Sequence, residues 1–174
     1  MELFENNTKS AIISECGNYR YSLHRTWNNQ MPSVMFVMLN PSTADDKQDD
    51  PTIKRCINFA KSWNYGGIIV CNLFAYRATN PKDLLSVHNP FGDQNIYYTK
   101  NNADKVPSII CAWGNEPILK KVLKNMSPIN LLHFALDKLY YLELSKNGVP
   151  KHPLYLKNTL TPKKLIIDVK SNYV

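Results

Sequence analysis

Asn40, Asn72, Trp113 and His152 are the side chains of this sequence whose types and positions can do chemistry. A carboxamide offers one donor and one acceptor group, enough to grip the edge of a planar heterocycle or to orient a water, but it has no useful basicity. An imidazole donates a hydrogen bond whether neutral or protonated, and an indole face can stack on a base. Such a set suits recognition and electrostatic stabilisation better than proton abstraction. Taken singly, each has an ordinary structural use: Asn40 can start a turn, Asn72 can satisfy a loop backbone, and His152 simply precedes Pro153. Their shared position, at or after the end of an apolar segment, sets them apart.

Those segments are "SVMFVML" at 33–39, bounded by Pro32 and Pro41, "IIVCNLFAY" at 68–76, and "SIICAW" at 108–113, closed by Gly114. They are short enough for strands buried on both faces. A fourth strand is expected near 139–144, followed by "GVPKHPLYL" with His152. Between the strands, "PTIKRCINFAKSWN" begins with Pro51 at a first helical position, places Ile53, Cys56, Ile57, Ala60 and Trp63 on one face, and is ended by Gly66-Gly67. Further helices are predicted at about 94–104 and over "EPILKKVLKNM", while 129–134 reads as a helix or a short strand. "AIISE" and "YRYSLH" flank Cys16-Gly17-Asn18 and predict a hairpin. Strands alternating with helices pair in parallel through right-handed crossovers. The predicted fold is α/β: a three-layer αβα sandwich with a central four-stranded parallel sheet and an N-terminal β-hairpin, one domain over 1–174. Open α/β sheets bind ligands outside the carboxyl ends of their strands, where these residues fall.

The 174 residues, 44% hydrophobic, support one real core. Lys+Arg 21 against Asp+Glu 14 gives a net charge of +7, which favours a polyanionic partner such as nucleic acid, an ordinary basic protein being the equal alternative. Cys16, Cys56, Cys71 and Cys111 form no C-x-x-C pair and point to neither a disulfide framework nor zinc. "MELFENNTKS" lacks a signal-peptide pattern and no apolar run approaches the ~18 residues of a spanning helix, so a reduced, cytoplasmic protein is expected.

The stretches "LNPS", "VCNLFAYR", "ICAWG" and "HPLYL" recur in that order in the uracil-DNA glycosylase superfamily, which the sequence resembles on these motifs. From "CGNYRYSLHRTW" to "HPLYL" it also resembles the DUF1643 group of bacterial and phage proteins. The superfamily resemblance implies a uracil-DNA glycosylase-like domain in which Asn40 positions water, Asn72 reads a flipped base and His152 stabilises charge on the departing base. That family continues its His-Pro motif with small residues such as serine. Leu154-Tyr155-Leu156 depart from this, although an apolar wedge suits insertion into DNA.

Cleaving an N-glycosidic bond needs a base out of the stack, help for the charge leaving onto it, and a water at the anomeric carbon. Phe74, Trp113, Tyr76 or Trp63 offers a stacking face. Among the acids of the 40–50 loop, Asp45 is a candidate base or oxocarbenium stabiliser. Asp50 reads as a helix N-cap and Asp46 to Asp49 as a solvated run. Ser42, Thr43, Arg77 and Lys151 are candidate DNA contacts with Leu154 and Tyr155, and Arg20, Arg25 and Lys82 add to the phosphate-binding charge.

The expected function is that of a monofunctional DNA glycosylase that flips and excises a modified or damaged base, without cofactor or metal. A hypermodified, sugar-bearing cytosine of phage DNA is the specific version, which fits antiviral defence. A uracil-strict pocket needs a bulky residue against the pyrimidine 5-position, and none is identifiable. Two rivals stand beside it: an inert nucleic-acid-binding module, favoured by Asn rather than Asp at position 40, and an enzyme acting on free nucleotides or nucleosides. A monomer working on DNA without an obligatory protein partner is expected.

Overall fold

The computed structural model describes residues 7–114, 117–124 and 126–167. Its strands form one seven-stranded sheet in the order β1 (Thr8–Ile13), β2 (Arg20–Thr26), β4 (Gly67–Asn72), β3 (Ser33–Met38), β5 (Ile109–Cys111), β6 (Leu139–Tyr141), β7 (Lys163–Lys164). The helices are α1 (Pro51–Ser62), α2 (Asn95–Ala103) and α3 (Pro117–Leu123), with 3-10 turns at Pro81–Leu85, Pro128–Lys138 and Pro153–Tyr155.

β3 lies between β4 and β5 and pairs in parallel with both, Phe36 standing opposite Val70 on one side and Ile110 on the other. β6 adds to β5 in parallel. The sheet is nevertheless mixed, and wider than the four parallel strands expected. The hairpin is not an appendage: Leu23–Thr26 of β2 pair antiparallel with Gly67–Val70, satisfying the free edge of β4. β7, which the sequence did not signal, covers part of β6 in the same way.

Alternation along the strands divides the core. Val34, Phe36 and Met38 pack with Ile53, Cys56, Phe59 and Ala60 of α1. Met35 and Val37 face the other way, into a cluster with Ala103 of α2, Ile118, Leu119 and Leu123 of α3, and Leu132 and Ala135. Helical elements therefore cover both faces, which is why these strands read as unbroken apolar runs.

α1 starts where expected: the Asp50 carboxylate accepts from Ile53 N at 2.8 Å and Pro51 occupies the first turn. Its exit uses Asn64 in the left-handed region (φ 62°). Gly66 is required for a different reason, since a Cβ there would lie 2.0 Å from the Asn28 carbonyl oxygen. The ambiguous 129–134 stretch is part of a kinked 3-10 segment, with Leu132 and Ala135 off helical geometry, and the strand after it stops at Tyr141. Among the described residues no helix is long and apolar enough to cross a membrane.

The connections leave β3 and β5 in opposite directions. β3 passes through α1 to β4 on one side, and β5 leads through α3 to β6 on the other. Such divergence opens a crevice between the two carboxyl ends. Phe36 is fully buried beneath α1 and stacks on Trp63 at 6.1 Å between ring centroids. Phe36→Ala is expected to cost about 3–5 kcal/mol, measured as a lower urea midpoint at unchanged m-value.

Candidate functional site

A pocket of about 340 Å³ fills that crevice. Met38, Leu39 and Asn40 enter from the end of β3, Trp113 and Gly114 from the end of β5, and Asp50, Thr52 and Ile53 from the start of α1. Ala78, Thr79 and Pro81 come from the loop after β4, His152, Leu154 and Tyr155 from the last 3-10 turn, and Arg20 from β2. Asn40, Ser42, Trp113, His152, Leu154 and Tyr155, singled out from the sequence, thus share one cavity.

Asn40 donates from Nδ2 to the carbonyls of Pro41 (3.1 Å) and Ala78 (2.8 Å), tying the end of β3 to the loop after β4. Its Oδ1 meets no donor among the described residues and is left to accept from a water. The Nδ1 atom of His152 accepts from Leu154 N at 3.3 Å, capping the 3-10 turn. The ring proton of the neutral imidazole is therefore assigned to Nε2, which becomes a donor. Burial holds the His152 pKa below its ordinary 6.5, against the opposing pull of the Asp50 carboxylate.

Arg20, expected to contact phosphate at the surface, is 2% exposed. Its Nη1 donates to Ala44 O at 2.7 Å and Nη2 to Asn72 Oδ1 at 3.4 Å, while Nε is buried without a partner among the described residues. Burial pushes its pKa down to about 10, with Asp50 the largest opposing influence, so the guanidinium stays charged at neutral pH. Among the described residues no carboxylate lies within ion-pair distance of it. Asn72, 2% exposed, does not line this pocket; it lines a separate, smaller cavity of about 130 Å³ with Val37, Phe91 and Asn95.

Arg25 is also buried rather than phosphate-facing, and it has a partner: Nε meets Asp49 at 2.7 Å, and other nitrogens donate to the carbonyls of His24 and Asp45. Asp49, expected in solvent, is 13% exposed. The Asp45 carboxylate accepts from Lys47 N and Gln48 N, both at 2.8 Å, which holds its pKa below the usual value. It builds the loop and does not line the pocket, so no base is available from it there.

Phe74 is fully buried, edge-on to Phe91 at 5.1 Å, and Tyr76 packs edge-on to Tyr19 at 5.7 Å. Neither lines the pocket, which corrects their reading as stacking faces; Trp113 does line it, as a wall only 2% exposed. Ser42, Thr43 and Arg77 meet with Gly17 and Asn18 around a shallower depression beside it, where Arg77 donates to Gly17 O at 3.2 Å. Lys151 pairs with Glu143, and Tyr155, 88% exposed, stands at the rim. Among the described residues no three His, Cys, Asp or Glu side chains gather as a metal site.

Sequence reasoning missed Arg20 and Asp50 as pocket residues. The available signal was a cap at the start of a helix that begins beside the crevice, and a charged residue inside a β-favouring segment.

A family described as "Protein of unknown function (DUF1643)" matches residues 20–154, and the chain belongs to it. No curated protein and no solved structure matches the chain.

His152 and His24 are both held below the ordinary value of 6.5, His24 by burial and then by Lys105 and Arg25. Between their folded values and 6.5 the unfolded chain binds more protons, so stability falls as pH drops through that window. The urea midpoint is expected to be lower at about pH 5.5 than at about pH 7.5, and His152→Gln to flatten the difference. An unchanged slope in that variant would mean that the imidazole is not buried neutral.

Proposed function

We propose that this DUF1643 protein is a monofunctional DNA glycosylase with a uracil-DNA glycosylase-like core, hydrolysing the N-glycosidic bond of a flipped base. The observation that carries the reading is the meeting of Asn40, Trp113 and His152, from separate elements, around one pocket of about 340 Å³. That volume lies within the range of small-molecule sites.

In this reading the base enters beside Trp113. The C1′–N bond breaks with its electron pair leaving on the base, where the Nε2–H of His152 donates to the developing negative charge. The sugar becomes oxocarbenium-like, and a water accepted by Asn40 Oδ1 bonds to C1′. The water gives up one proton and keeps the other as the new hydroxyl on C1′, and one proton from solvent neutralises the departed base. Asp45 lies outside the pocket and supplies no base, and this reading draws its rate from positioning and electrostatics.

Ser42, Thr43 and Arg77, gathered beside the pocket, suit flanking phosphates, and Leu154 with Tyr155 at the rim suits an apolar wedge. The loop over 77–95 lends Ala78, Thr79 and Pro81 to the wall, as a site for an enlarged base requires. In this reading the enlarged base is a hypermodified cytosine of phage DNA, the role is antiviral defence, and the protein works as a cytoplasmic monomer on DNA. An inert binding module is the second reading, favoured by an Asn40 amide nitrogen fully engaged by two carbonyls.

Mass spectrometry of base released from DNAs carrying uracil, deaminated, methylated and phage-hypermodified bases separates the two. Release is expected from at least one DNA, falling by about 10²–10³-fold in His152→Ala. No release from any of them, together with binding that weakens steeply with salt, would favour the inert module.

A further inference from the structure

We infer that Arg20 and Asp50 together read the hydrogen-bonding edge of the base and select one with an exocyclic amino group beside a ring nitrogen or carbonyl acceptor, the pattern of cytosine among the pyrimidines. The inference rests on the glycosylase reading of the same pocket and names its substrate class.

Both side chains line the pocket, and they carry opposite charges without touching: among the described residues Arg20 has no carboxylate within 4.0 Å. The comparison with Arg25 is direct, since that guanidinium, equally buried, closes on Asp49 at 2.7 Å. A buried charge left unpaired is costly, so the buried Arg20 cation and the half-buried Asp50 carboxylate, sharing one pocket without an ion pair between them, call for a ligand that satisfies both. Arg20, in the pocket wall, has a buried Nε–H that no described residue accepts. Asp50 uses Oδ1 to cap α1 at Ile53 N, and Oδ2 has no donor among the described residues.

The complement of this pair is an acceptor beside a donor. Cytosine offers its N3 and O2 as acceptors and its N4 amino group as donor, so Arg20 meets the first and Asp50 the second. Uracil places a carbonyl where cytosine has the amino group, setting lone pairs against a carboxylate and leaving that carboxylate unsatisfied. A phosphate would suit Arg20 and be repelled by Asp50, so the pocket as a whole is not an anion site. His152 and Asn40 remain free for the leaving base and the water.

The test uses the full chain, wild type and Asp50→Asn. Asparagine caps a helix as well as aspartate, so this variant is expected to stay folded, at a lower urea midpoint because Arg20 loses a favourable charge, while presenting an amide donor in place of the carboxylate. Two readouts are taken: binding of deoxycytidine and deoxyuridine followed by NMR, and single-turnover base release from DNAs carrying 5-hydroxymethylcytosine or 5-hydroxymethyluracil. Wild type is expected to prefer the amino-bearing member of each pair by about tenfold or more, and Asp50→Asn to lose or invert that preference. Equal or reversed preference in the wild type overturns the inference without any variant. So does a preference unchanged in a folded Asp50→Asn, or no binding of either nucleoside together with no release. Release without discrimination would leave the glycosylase reading standing and this one refuted. Discriminating binding that depends on Asp50, with no release from any DNA, would do the reverse.

Discussion

β3 is paired on both edges and buried on both faces, and the architecture around the candidate site depends on that constraint. A strand so enclosed has no polar position until it leaves the sheet, so its apolar run must end abruptly, and it ends at Asn40-Pro41. With β4 on one side and β5 on the other, the connections leave in opposite directions, and a cavity opens where they part. α1 begins across that gap, and so brings its capping carboxylate to the cavity wall.

The loop that follows β3 is held by charge buried beneath it. Arg25 takes Asp49 and the carbonyl of Asp45, and Arg20 takes the carbonyl of Ala44, so two strand residues of the hairpin anchor consecutive parts of one loop. This accounts for a cluster of acids in a protein of net positive charge: Asp45 closes a turn on backbone N–H groups, Asp49 neutralises an arginine and Asp50 starts a helix. Among the described residues, Arg25 is neutralised by a carboxylate and Arg20, equally buried, is not, and Arg20 borders the cavity. The site's electrostatics therefore arise from how the hairpin docks on the sheet.

Local signals were readable along the chain. The apolar runs of β3, β4 and β5, the Asp50-Pro51 start of α1 and the helix near 94–104 all stand where short-range patterning puts them, because strand burial and helix capping leave marks within a few residues. The docking of β2 on β4, the addition of β7 and the 3-10 course of 128–138 were not readable. Each is a choice between alternatives of similar local propensity, decided by which free edge or apolar face is near in space. Phe74 and Tyr76 illustrate the same limit at side-chain level: they follow Asn72 closely in sequence, yet both are spent on core and aromatic packing.

The sequence by itself determined that Asn40, Trp113 and His152 lie at or beyond the ends of apolar runs, and parallel pairing then carries such ends to one edge of a sheet. Only the tertiary structure decided which groups face the cavity. It joined Arg20 to Asn72, turned Asp45 into its own loop, and set Asp50 in one pocket wall with a guanidinium that has no ion-pair partner among the described residues. The reason is physical. A strand's end is a property of its own residues, whereas access, burial and the partner of a charge depend on the segment packed against it.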